Sequence, residues 1–301
     1  MKKYKNQSLK SAFSMLELVF VIVILGIVSS IGAEIVAKVY DSYITQRAVH
    51  RSSMKVELAA TQIANRLTYA VPGTIIGTVS RTNDNFLPIE DLPGGNAYRV
   101  LQWIGSDEDS MGARTSANDR PGWSGVVDLI ATISGSSFDS PGSNFSLTNT
   151  IIGNLSDSTK SIVNAAIFFP DLYSATTVGY NGTPITGIST VSVIPPSTIV
   201  SLAAPRAIMK EHYKLAWSSY AVVPVPPRSG LANLFDLELR YNFQPWNGEQ
   251  QSAATSVLLI EDISVFQFTG TGDTTRFKIC KQERISATTH ITNCKEKAVI
   301  R

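Results

Sequence analysis

Histidine and cysteine are scarce in this 301-residue chain, which has three of the former (His50, His212, His290) and two of the latter (Cys280, Cys294). The histidines are far apart with no acid or cysteine at ligand spacing, so no metal site is expected and no cofactor is implied. No nucleophile with an adjacent base and no phosphate-cradling loop is legible, so an enzyme is not expected. Gly270-Thr271-Gly272 is too short for a nucleotide fingerprint and reads as a turn. An excess of either charge is also missing: 26 basic residues face 24 acidic ones. There is therefore no global basic field of the kind that drives nucleic-acid binding, although a local DNA-contacting patch need not show in a total. Two shortages are local. The first sixteen residues hold no acid, and neither Gly nor Pro occurs from Glu34 to Ala70.

The acid-free leader carries Lys2, Lys3, Lys5 and Lys10, and runs into Phe13 to about Ile31, an apolar stretch broken by one charge, Glu17. A bilayer core of ~30 Å needs about 20 such residues at ~1.5 Å rise each, a length that residues 13–33 supply. Lysines before the run place the N-terminus on the cytoplasmic side, so the chain leaves the cytoplasm. An ordinary secretory signal cut among Ser29-Ser30-Ile31-Gly32-Ala33 is the alternative. Glu17 is the residue that a plain anchor explains badly. An intramembrane carboxylate costs on the order of 2.5–3.5 kcal/mol at mid-bilayer and usually has a partner.

Ser11-Ala12-Phe13-Ser14-Met15-Leu16-Glu17-Leu18-Val19 resembles the class III signal of type IV pilins and type II secretion pseudopilins. The resemblance covers about residues 8–33. It implies that prepilin peptidase cuts between Ala12 and Phe13, that Phe13 is then N-methylated, and that Glu17 is the assembly glutamate, meeting the new ammonium of a neighbouring subunit. Pairing the two charges in low dielectric offsets desolvation that neither could offset alone. Two departures stand out: Ala12 replaces the family's usual Gly, and the helix has no Pro before Pro72. With the leader gone, 22 of the 26 basic residues stand against 24 acidic ones, a net of about −2.

Beyond the anchor, Val49, Val56, Ala60, Ile63, Leu67 and Ala70 recur at helical spacing, and Pro72-Gly73 stops the pattern. Residues 13–70 would then form one helix about 87 Å long. Strands are expected at Tyr98–Ile104, Gly125–Ile133, Ser161–Phe169, Thr198–Leu202, Tyr213–Val223, Leu234–Phe243, Val257–Phe268 and Thr275–Cys280. Leu234–Phe243 alternates most clearly, with Phe235, Leu237, Leu239, Tyr241 and Phe243 expected on the helix and Asp236, Glu238, Arg240 and Asn242 in water. Residues 80–95, 106–121, 135–144 and 178–196 read as loops. Asp107-Glu108-Asp109-Ser110-Met111-Gly112 starts like a calcium loop, but Met111 stands where an oxygen ligand is needed and Asn118 where the bidentate Glu should be, so it reads as a solvated acidic loop. Arg276, Lys278, Lys281, Arg284, Lys295 and Lys297 read as a solvated basic face, with partner or DNA contact as the alternative.

In an exported protein, Cys280 and Cys294 are expected to be bridged, closing a loop of about 15 residues worth ~3 kcal/mol. The expected fold is thus α+β and pilin-like: a leader over 1–12, a helix over 13–70 with 13–33 in the membrane, and a β-rich domain over 71–301 ending in a cysteine loop. The resemblance implies a minor pilin or pseudopilin, with other such subunits, prepilin peptidase, the inner membrane and its assembly machinery as partners. A globular part of roughly 230 residues is bulky for a repeated shaft subunit. A filament-displayed adhesin or DNA-binding module is the second reading.

Overall fold

A computed structural model describes residues 14–79, 85–93, 97–116, 119–130, 136–170, 173–184, 189–192, 197–202, 209–286 and 289–300. The elements in chain order are α1 (Met15–Thr68), β1 (Ile76–Thr78), β2 (Phe86–Pro88), β3 (Val100–Gly105), α2 (Glu108–Gly112), β4 (Ser137–Asp139), α3 (Phe145–Leu155), β5 (Ala166–Phe168) and β6 (Ser189–Ser192). They continue with β7 (Ile199–Leu202), β8 (Lys214–Ala216), β9 (Ser218–Val225), β10 (Phe235–Phe243), β11 (Thr255–Thr271), β12 (Thr274–Arg284) and β13 (His290–Ile300). The fold is α+β: a long N-terminal helix packed on a curled antiparallel sheet of order β13-β12-β11-β10-β9-β3-β1-β2.

With no Gly or Pro after Gly32, α1 runs unbroken for 54 residues, about 81 Å. Ser14 caps its start, and the Tyr69 N–H closes its end on the Arg66 and Leu67 carbonyls. Only the second half is covered. Ser52, Val56, Ala59, Ala60, Ile63 and Leu67 are buried, whereas Val49, expected on the same stripe, is exposed at the base. The sheet curls around this stripe, so that one core joins Val56, Ile63 and Leu67 to Leu101, Trp103, Leu237, Leu239, Ile263, Phe277 and Ile279. Where the curl closes, Ile89 lies over Gly270; a Cβ there would come within 2.7 Å of it.

β3 and β9 are adjacent antiparallel strands, with Leu101 opposite Val222 and Gly105 opposite Ser218. Everything in residues 106–217 is therefore an excursion between two neighbours. It carries α2, α3 and a second sheet of order β4-β7-β6-β5-β8, with a core around Trp123, Phe138, Phe145, Ile152, Phe169 and Leu215. A third cluster bolts this lobe to the end of α1, joining Val71 and Ile104 to Phe168, Tyr180 and Trp246. The Tyr180 hydroxyl donates to the Thr74 carbonyl at 2.7 Å, and the Trp246 indole N–H donates to the Asn164 carbonyl at 3.0 Å.

Several expectations need correction. Residues 125–130 form isolated bridges (Val126 to His212, Asp128 to Asp139) rather than a strand, and 131–133 lie outside the described residues. The stretches read as loops hold α2, β2, β4 and β6. Alternation in β10 fails at both ends. Asn242 has φ +63°, and this bulge turns Phe243 onto the opposite face, beside Val100, Ala221 and Val223. Asp236 is buried in a second bulge, not in water.

Gly179 sits at the joint with φ +94°, and a Cβ there would lie 2.2 Å from the Pro245 carbonyl oxygen. Gly179→Ala is expected to lower stability by about 3 kcal/mol or more, through both strain and clash. Gly142→Ala (φ +79°, open space around it) should cost only about 1 kcal/mol. Denaturant midpoints of the two variants in detergent check the difference.

Candidate functional site

The residues singled out for processing, Ala12 and Phe13, lie outside the described residues. The description begins at Ser14, whose hydroxyl accepts the Glu17 N–H at 3.2 Å. Glu17 is thus the third residue of α1, in the first turn, and its carboxylate is solvent-facing with no ion pair among the described residues. A carboxylate there favours the helix by about 0.3–1 kcal/mol through the amide dipoles, and Ser-x-x-Glu is the spacing of a capping box. This local role of Ser14 and Glu17 was readable in the sequence as that motif.

From Met15 through Tyr43 every residue of the helix is exposed, and its apolar side chains are largely bare, Met15 at 86% and Leu25 at 65% exposure. A window of mean hydropathy 2.6 within α1 has none of its residues buried. Among the described residues, α1 is the one helix long and apolar enough to cross a membrane. Past this run comes the i,i+4 pair Glu34–Lys38 at 2.7 Å.

The covered half of α1 is held by the last strand. Lys297 Nζ lies 2.7 Å from Glu57 Oε1 and 3.1 Å from the Thr61 hydroxyl, and Lys295 Nζ is 3.4 Å from Glu57 Oε2. The Asn293 amide donates to the Val49 carbonyl at 3.4 Å. Hydrogen bonding from the Lys297 ammonium, seconded by Lys295, holds the Glu57 carboxyl below the usual carboxylate range. The basic tail is therefore not uniformly solvated. Lys281 is 1% exposed; its ammonium donates to the Glu261 carbonyl at 3.0 Å and lies 3.3 Å from Glu283 and 3.6 Å from Asp262. Cys280 and Cys294 are bonded to one another directly across the β12–β13 ladder, so the stretch between them is a hairpin tip rather than a free loop.

No family model, curated protein or solved structure matches the chain.

His50, His212 and His290 are not brought together, and no group of three metal-ligating side chains occurs among the described residues. The acidic stretch at 107–112 is no solvated loop. Asp107 is buried and caps α2, its carboxylate accepting the Ser110 N–H at 3.3 Å, while Glu108 pairs with Lys214 at 2.9 Å. Burial pushes the Asp107 carboxyl up to about 6, outweighing the Ser110 hydrogen bonds that pull it down.

Two carboxylates should respond to pH with opposite signs. Asp107 has a folded pKa above its unfolded value, so its ionisation weakens the fold as pH rises from about 4 to 6. Asp107→Asn keeps an N-cap and should be more stable at pH 7.5 by on the order of 2 kcal/mol, with the gain vanishing near pH 4. Glu57 has a lowered folded pKa, so its contribution is present at neutral pH and lost as pH falls through the acid range. Glu57→Gln should lower the neutral-pH thermal midpoint and flatten its acid decline. Thermal midpoints across pH 3–8 read out both.

Proposed function

We propose that the chain is a minor pilin or pseudopilin, a structural subunit of a type IV pilus or type II secretion filament assembled through α1. The observation that carries this is the uncovered apolar half of α1, the one helix among the described residues long and apolar enough to cross a membrane, with a single carboxylate, Glu17, in its first turn. Bare apolar surface of this extent needs lipid or protein around it. A bilayer accommodates such a helix in a newly made subunit, and other α1 helices replace the lipid in a filament. The class III signal supplies the order of events: prepilin peptidase removes residues 1–12, Phe13 gains an ammonium and a methyl group, and that ammonium meets a neighbour's Glu17. The subunit then sits in the bacterial inner membrane with residues 71–301 on the periplasmic side, before the assembly machinery moves it into the filament.

A second reading, a binding module displayed on such a filament for adhesion or DNA capture, is favoured by one feature. The lobe of residues 106–217 is attached at the C-terminal end of α1, the end farthest from the apolar run.

The two roles open to Glu17 separate by substitution. Glu17→Ala should leave membrane insertion and leader removal intact while reducing incorporation into filaments by about tenfold or more, since it leaves an ammonium unpaired in low dielectric. Glu17→Gln keeps the capping geometry and loses the charge; it should fail as Glu17→Ala does. Normal incorporation of the glutamine variant would reduce Glu17 to a cap. N-terminal sequencing and mass should find the mature chain starting at a methylated Phe13, whereas a start after Ala33 would replace this reading with an ordinary signal peptide.

A further inference from the structure

The large sheet forks at Phe235. The β10–β11 ladder ends with Phe235 opposite Ile263, but β11 runs on to Thr271 with β12 as its partner on one side. A bulge opens the fork: Asp262 has φ +57°, and the β11–β12 register slips between Ile263 and Val265. The buried Asp236 carboxylate pins it, accepting the Asp262 N–H and the Arg228 N–H, each at 3.0 Å.

The two-residue turn Gly272-Asp273 makes Thr271–Thr274 a hydrogen-bonded pair, and such pairs recur at every second residue of an antiparallel ladder. Val265, Gln267 and Thr269 therefore bond to β12. Phe266 and Phe268 turn their N–H and C=O groups the other way, where β10 no longer runs, and no hydrogen bond to those groups occurs among the described residues. Beside Phe266 opens a cleft of about 580 Å³ lined by Arg99, Pro224, Pro226, Phe235, Ser264 and Phe266 itself. That is within the size range of binding sites. The prolines have no N–H, so the far wall offers apolar surface and not a second ladder. Arg99 is exposed and makes no ion pair among the described residues.

We propose that this cleft takes an extended segment of another polypeptide, added to β11 as a short strand, with a carboxylate of that segment meeting Arg99. Main-chain groups unpaired at every second residue select an extended peptide backbone over a compact ligand. Phe235 and the two prolines select apolar side chains at alternate positions, and the lone guanidinium selects an acid by charge complementarity. The site uses neither Glu17 nor the uncovered half of α1, so it holds or fails independently of the filament reading.

Hydrogen exchange on the full-length protein in detergent tests both parts. In the free protein, the amides of Phe266 and Phe268 should exchange on the order of a hundredfold faster than those of Val265 and Gln267; equal protection would mean the edge is already covered and would overturn the proposal. The probes are hexapeptides beginning with Asp and alternating Thr with Val, Leu or Phe, each at about 1 mM. At least one should slow Phe266 and Phe268 about tenfold, and N-methylation of its strand-side amides should abolish the effect. Arg99→Ala should weaken that peptide roughly two- to fivefold and leave a counterpart beginning with Asn unaffected. Protection by none of the peptides, or protection indifferent to N-methylation, would overturn strand addition.

Discussion

One stripe of α1, from Ser52 to Leu67, is the surface around which the large sheet is built. Each of Val56, Ile63 and Leu67 is fully buried, a contribution of about 1.5–3 kcal/mol apiece. A flat sheet could not cover a helix of about 10 Å diameter from several sides, so the strands must curl, and the means of curling are visible. Bulges at Asp262 and Asn242 take the backbone to positive φ, and Gly270 lets Ile89 close in from the opposite edge. The bulge at Asp262 also buries Asp236 and opens the fork beside Phe235. Curvature, buried charge and cleft are consequences of one packing requirement.

The second requirement is placement of the inserted lobe. An excursion between adjacent strands leaves the parent ladder intact, because β3 and β9 still pair as neighbours. What such an insertion adds is a hinge risk, and the joint answers it with apolar contact plus directed hydrogen bonds. Phe168 and Trp246 meet edge to face with centroids 5.9 Å apart, while Tyr180 reaches the backbone at Thr74. Asn242 adds a further tie, its amide donating to Thr159 at 2.9 Å. The bulge that breaks alternation in β10 therefore also aims a side chain into the lobe.

The helix and most of the large sheet could be read in advance because their signals are local and periodic: no breaker from Glu34 to Ala70, and strict alternation from Leu237 to Tyr241. What escaped has a common physical cause. β13 looked like a solvated tail because its helix-facing residues include Asn293, Lys295 and Lys297, which bind α1 through polar atoms and so carry no apolar pattern. Lys281 and Asp236 were assigned to water because each is charged, yet each is buried with partners distant in sequence. β1, β2 and β4 are three residues each, too short for a period to declare itself. The cysteine pair was legible from its spacing in an exported chain. The capping geometry of Ser14 is equally local, written in the Ser-x-x-Glu spacing of residues 14–17.

The contact between Glu57 and Lys297 joins residues 240 positions apart. Synthesis delivers α1 first and β13 last, so the helix is complete long before the strand that clasps it exists. Loop closure of that span must precede the reward of docking, which makes this a slow, late step in folding. Until it happens, the flank of α1 at Glu57 and Thr61 lacks its clasp, although Val56, Ile63 and Leu67 can already pack on Leu101, Trp103, Leu237 and Ile263. Loss of the eleven residues of β13 would leave the Glu57 carboxylate without its two ammonium partners and bare one flank of α1, while β3, β10, β11 and β12 kept the apolar stripe covered.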